Sequence, residues 1–261
     1  MFRLTRQIRF AINADPSAAT TALNGFAGVP AVQGLAYFFA ADITLVGNLD
    51  PQSSYLRNIT HIDRLFREKG IPVISAACRN DVLNVHDVCT RWFQTFNEAW
   101  SPAELEEIRL HTSPYQSYSV RRMEPQMMRL SQRFEFSAAH RLHNPGLDDD
   151  ANRGIYGKCN NRLGHGHNYE VQVTLAGRPD AGGSLMAIPE FERLVNLHAI
   201  EKLDHKHLNA EVPEFADLNP TVENIAMVIF RLLRPALAVG ETKLASVTVW
   251  ETPKTWCEYA E

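Results

Sequence analysis

The chain has 261 residues, 45% apolar and 21% charged, with a formal net charge of −4. That is enough chain for two ordinary domains and enough apolar matter to fill them, while the acidic balance, with no basic run beyond pairs such as Arg121 and Arg122, argues against a nucleic-acid footprint. The longest apolar region, residues 25–47, is broken by Pro30, Gln33 and Asp42 and is unsuited to cross a membrane; the N-terminus MFRLTRQIRF lacks the apolar run of a signal peptide; and four cysteines without a C-x-x-C pair suit a reducing cytoplasm.

Residues 4–10 (LTRQIRF) and 34–47 (GLAYFFAADITLVG) alternate as strands do. Residues 53–70 put Leu56, Ile59, Ile62, Leu65 and Phe66 at helical spacing, and Gly70 with Pro72 beyond is expected to stop that helix. A strand over 108–114 follows, and Ser113 to Pro125 reads as a polar connecting loop. The second half repeats the order. Strands are expected over 130–136 (LSQRFEF), 164–177 (GHGHNYEVQVTLAG) and 247–253 (VTVWETP). One helix carries Phe191, Leu194, Val195, Ile200 and Leu203; another starts at Pro220 behind an Asn219 cap and presents Ile225, Val228, Ile229 and Leu232. The three strand segments of each half match in order, with Gly47 and Gly177, and Pro114 and Pro253, at corresponding ends. This points to a duplicated antiparallel α+β unit, divided as 1–124 and 125–261.

The chemistry concentrates in the second copy. In a strand, His165 and His167 point the same way, so the pair can grip one metal ion. His140, at the end of the strand FEFSAAH, is the third candidate ligand, and His143 is its rival beside Pro145. Three imidazoles with one position open is the arrangement of a catalytic zinc site. Cys159, six residues before His165, is either a small buried residue or a general base whose thiolate nearby positive charge favours. Asp204 and His205 are either a solvated loop or a proton relay. Glu251 is either a strand-end charge or a carboxylate that takes two N–H donors from a flat heterocycle.

The blocks FSAAHRL, YGKCNNRLGHGHNY, LDHKHLN, PTVEN and VWETP, in this order over about residues 130–261, resemble the 6-pyruvoyl-tetrahydropterin synthase and 6-carboxytetrahydropterin synthase family. The resemblance implies a tunnelling fold: four-stranded antiparallel sheets with two helices each, assembling side by side into a barrel, here as a trimer of tandem chains. It implies zinc on His140, His165 and His167, Cys159 as proton acceptor, and Asp204 with His205 as relay. Glu251 would hold the pterin, with Thr221 and Glu223 lining its pocket. The implied substrate is 7,8-dihydroneopterin triphosphate and the product the 6-pyruvoyl or the 6-carboxy compound, the latter in queuosine biosynthesis. Five residues between Cys159 and His165 resemble the pyruvoyl-forming branch. The first copy departs from the pattern: Leu35 and Tyr37 stand for His165 and His167, Ala14 for His140, Thr112 for Glu251, and Arg79 and Asn80 for Asp204 and His205. It is expected to be structural. The other reading is a non-catalytic pterin- or metal-binding protein.

Overall fold

The alternation of the first residues becomes strand β1 (Phe2–Asn13) in the computed structural model, which describes residues 1–15, 26, 28–80 and 83–261. β1 pairs antiparallel with β2 (Ala36–Gly47), with Phe10 opposite Phe39 and Ile12 opposite Tyr37. Then come α1 (Ile59–Leu65), α2 (Ile71–Asn80) and α3 (Val85–Phe96), and β3 (Glu104–His111) beside β2, and β4 (Gln116–Arg121) beside β3. Among these, Ile8, Phe10, Ile43, Leu45, Ile62, Phe66, Trp92 and Phe96 are buried in one core. The chain then enters β5 (Glu124–His140). Two compact units result: Met1–Leu130 with Gly177–Leu185, and Ser131–Ala176 with Met186–Glu261.

In the second unit β5 leads to α4 (Asp149–Tyr156), a single 3-10 turn (Gly157–Asn160) and β6 (His165–Gly177). After α5 (Ile188–Val195) and the short α6 (Glu201–Leu203), the two-residue β7 (Lys206–His207) pairs parallel with Ala138 and Ala139 of β5. The short α7 (Leu208–Glu211) and α8 (Val222–Leu233) precede β8 (Lys243–Thr252) and β9 (Thr255–Tyr259), and the strands lie in the order β5, β6, β8, β9. Residues Val171, Val173, Leu175, Val247 and Val249 of the sheet are buried, as are Phe191, Val195, Ile225, Ile229 and Leu233 of the helices.

Three expectations need correction. Gly70 does not stop the first helix, which passes through a π turn (Phe66–Gly70) into α2. Proline lacks the N–H for an i→i−4 bond, and a turn with a wider ring accommodates it. Gly70 is there for contact: a Cβ would lie 2.8 Å from the Phe66 ring, and its carbonyl accepts from Trp92 Nε1 at 2.8 Å. Second, the cap of α8 is Thr221 rather than Asn219, so the buried stripe ends on Leu233, with Leu232 half-buried. Third, the expected loop from Ser113 to Pro125 contains β4.

Candidate active site and metal centre

His140 ends β5 and is fully buried. His165 opens β6, and the two-residue period puts His167 and Tyr169 on the same face, continuing into buried Val171. One nitrogen from each of His140, His165 and His167 lies within 4.8 Å of the others. His140 Nδ1 donates to the Pro220 carbonyl at 2.7 Å, just before α8. Its Nε2 therefore carries the lone pair, 3.2 Å from His165 Nε2. Burial, and then the charge of the neighbouring imidazoles, holds the His140 pKa down to about 4, against the bond from Pro220, which raises it. His165 Nδ1 and His167 Nε2 are buried without a hydrogen-bond partner among the described residues. Buried polar atoms are normally paired, because an unpaired one costs about 1–3 kcal/mol. Convergent imidazoles, one oriented by a backbone carbonyl, are the donor set a zinc-type ion takes. The residues fit the metal. His143 is no part of the cluster: its Nδ1 faces Arg141 at 3.2 Å and the Asn160 amide at 3.1 Å.

Glu251, at the end of β8, comes to the same place. Its Oε1 lies 3.4 Å from His140 Nε2 and 3.6 Å from His167 Nε2. Cys159 is half-buried on the 3-10 turn, and its carbonyl accepts from Leu142 N at 2.8 Å. Its thiol is pushed above the ordinary range by burial and then by the Glu251 charge. Among the described residues no side chain lowers its pKa by the expected positive charge; a cation on the three histidines would do so.

Asp204 and His205 form their own pair, Oδ2 to Nδ1 at 2.8 Å. Asp204 Oδ1 accepts from Ser137 N at 2.8 Å, which foremost holds its carboxyl below the usual range. His205 has φ 56, a left-handed conformation rare outside glycine, and its N–H donates to Ser137 O at 2.6 Å. Its side chain is 83% exposed, in an open cleft of about 510 Å³ that Gly166, His167 and Asn168 also line. Among the described residues no hydrogen bond or ion pair joins this pair to the histidine cluster. Thr221 caps α8, and Glu223 on its first turn is exposed.

Two neighbours went unread in the sequence. Tyr169 is fully buried, stacked on Phe136 at 4.8 Å and 5.6 Å from the His167 ring, and its hydroxyl has no hydrogen-bond partner among the described residues. Strand alternation after the two histidines would have placed it there. Asn160, adjacent to Cys159, makes bonds that no local pattern announces. In the first unit, Ala14, Leu35, Tyr37 and Arg79 are exposed, and Thr112 bonds to Gln116 at 3.1 Å. The Asn80 side chain lies outside the described residues. Among the described residues, His140, His165 and His167 are the cluster able to hold a metal ion.

No described helix is long and apolar enough to cross a membrane. Residues 129–261 match the family profile "6-pyruvoyl tetrahydropterin synthase". The chain is 44% identical over 124 residues to the human 6-pyruvoyl tetrahydrobiopterin synthase, covering 47% of this chain and 84% of that one. It is 28% identical over 156 residues to the 6-carboxy-5,6,7,8-tetrahydropterin synthase of Haemophilus influenzae, covering 52% and 100%. A solved 6-pyruvoyl tetrahydropterin synthase from Caenorhabditis elegans is 34% identical, covers 52% of this chain and 96% of its own, and superposes with a TM-score of 0.49. The chain belongs to the 6-pyruvoyl tetrahydropterin synthase family of pterin-forming lyases.

Proposed function

We propose that this chain is a zinc-dependent lyase that converts 7,8-dihydroneopterin triphosphate to 6-pyruvoyl-tetrahydropterin with loss of triphosphate, or, with addition of water and cleavage of the side chain as well, to 6-carboxy-tetrahydropterin. The observation that carries it is the meeting of His140, His165 and His167, two of them with buried nitrogens that lack a hydrogen-bond partner among the described residues, with Glu251 at one point. His140, His165 and His167 hold the ion. When bound, zinc supplies Lewis-acid polarisation of the side-chain hydroxyls and a positive field that favours the Cys159 thiolate. Cys159 Sγ takes a proton from the substrate side chain, and the Asp204–His205 pair relays protons. The Glu251 carboxylate accepts two N–H groups of the pterin, which fixes the ring, and Thr221 and Glu223 line its far side. The five-residue spacing before His165 supports the pyruvoyl product.

The same reading assigns residues 125–261 to a catalytic copy and 1–124 to a non-catalytic one. Both units run strand, strand, helices, strand, strand, apart from α4 between β5 and β6 and the two-residue β7 in the second, and both have a π turn in the helix after the second strand, Phe66–Gly70 and Asn196–Ile200. Those turns are separated by the same offset as Gly47 and Gly177. The chains form a homo-oligomer, a trimer, in which catalytic copies neighbour catalytic copies and share each site. Free thiols throughout the four cysteines suit a cytoplasmic setting. The test is incubation of zinc-loaded protein with dihydroneopterin triphosphate and identification of the product by mass. A pterin lacking the triphosphate supports the proposal; unaltered substrate with stoichiometric binding would favour a non-catalytic pterin-binding protein.

A further inference from the structure

Cys159 sits on a single turn that follows α4 through Gly157, at φ 51. A cross-link ties that turn to the segment that follows His140. Leu142 N donates to the Cys159 carbonyl at 2.8 Å. The next residue, Asn160, is 8% exposed, and its side-chain amide donates to the Leu142 carbonyl at 2.7 Å and faces His143 Nδ1 at 3.1 Å. On its other side, Asn160 Oδ1 accepts from Arg141 at 3.4 Å and its main-chain carbonyl from Arg141 Nε at 3.3 Å. Arg141, Leu142 and His143 are the three residues that follow His140. The Arg141 main chain is itself held by Asn209, which accepts from its N–H at 2.8 Å and donates to its carbonyl at 3.0 Å.

This arrangement needs one side chain that donates and accepts at once, which a carboxamide does. An aspartate keeps the volume and the Arg141 contact but sets a carboxylate against the Leu142 carbonyl and His143 Nδ1. An alanine removes the donor to the Leu142 carbonyl and leaves His143 Nδ1 with Arg141 alone.

We propose that Asn160 is a positioning residue for the reaction, its carboxamide fixing the spacing between Cys159 and the histidine cluster and acting only through Cys159. This rests on the reading of Cys159 as the base. A misplacement of about 1 Å at a reacting group can cost about 10²-fold in rate. In the zinc-loaded full chain, Asn160→Ala should lower kcat by about 10²-fold with KM and zinc content close to wild type. Asn160→Asp, which preserves volume, should show the same loss and guards against a folding defect in the alanine variant. In a Cys159→Ala background, adding Asn160→Ala should cost nothing further. Independently of turnover, alkylation of Cys159 by iodoacetamide in the zinc-free protein, read on its tryptic peptide, should be several-fold faster in Asn160→Ala. Wild-type kcat in both variants would overturn the proposal, as would an undiminished loss in the Cys159→Ala background or an unchanged alkylation rate. If Cys159→Ala itself turned over normally, the reading of Cys159 as base would fall, and the alkylation rate would decide whether Asn160 holds the sulfur.

Discussion

His140 shows how one side chain is prepared for a metal. Burial keeps its imidazole neutral, and the Pro220 carbonyl fixes which nitrogen carries the proton. The free nitrogen is thereby aimed at the other two rings before any ion arrives, so binding costs little reorganisation. Cys159 is the opposite case, a thiol whose surroundings favour the protonated form. The account asks Cys159 for base catalysis and for nothing structural. Cys159→Ala should then keep its zinc and lose turnover by roughly 10²–10⁴-fold. Normal turnover, measured as triphosphate released per chain, would make Cys159 a packing residue. At this scale the convergence of the histidines was legible because strand alternation converts H-x-H into a geometry. The place of Glu251 against His140 was not, since it depends on pairing between β6 and β8, which are distant in sequence.

Among the elements, α8 links packing to the site. Its buried stripe holds it on the sheet, and the carbonyl just before its first turn orients His140. Thr221 caps it, accepting from Asn224 N at 3.4 Å. Thr221→Ala should destabilise the protein by about 1 kcal/mol, read as a lower denaturant midpoint with unchanged slope. An unchanged midpoint would mean that the cap is not formed in solution. In the first unit, Asp42 of β2 bonds to Gln7 of β1 at 3.0 Å and to His111 of β3 at 2.7 Å. Burial raises its pKa, but His111 and then Gln7 outweigh burial and hold it below the ordinary value. A carboxyl depressed in the folded state contributes stability above its unfolded pKa and loses it as the pH falls through the folded one. His111→Ala removes the main support, so acid unfolding of the first unit, followed by Trp92 and Trp100 fluorescence, should begin at higher pH. A midpoint that stays or falls would contradict this. The elements show why Gly and Pro mislead: Gly70 next to Pro72 reads as a helix stop, yet the packing of Phe66 and Trp92 on that glycine carries the helix onward. Likewise β4 was read as a loop, because its polar residues signal solvent and only its pairing with β3 makes a strand.

For the whole molecule, the account has neighbouring chains complete each other's sites. The Asp204–His205 pair, bonded to Ser137 and largely exposed at His205, has no bond to the histidine cluster of its own chain among the described residues. Oligomers reassembled from Cys159→Ala and His205→Ala chains should therefore regain turnover that neither parent has, since some sites draw both intact parts from different chains. A mixture as inactive as its components would place the whole site within one chain. The order of blocks along the sequence announced the family of the second unit. The proposed sharing of sites between chains rests on the family resemblance rather than on local pattern, because assembly depends on surfaces.

The claim on which the rest depends is that the three histidines hold the metal and that the metal enables the lyase reaction. The most direct measurement is the release of inorganic triphosphate from dihydroneopterin triphosphate as zinc is titrated into metal-free protein, in wild type and in His165→Ala. The account predicts that release rises with zinc and levels off at one ion per chain in wild type, with neither retained zinc nor release in His165→Ala. Full release without zinc, or a zinc equivalent and normal release in His165→Ala, would contradict it.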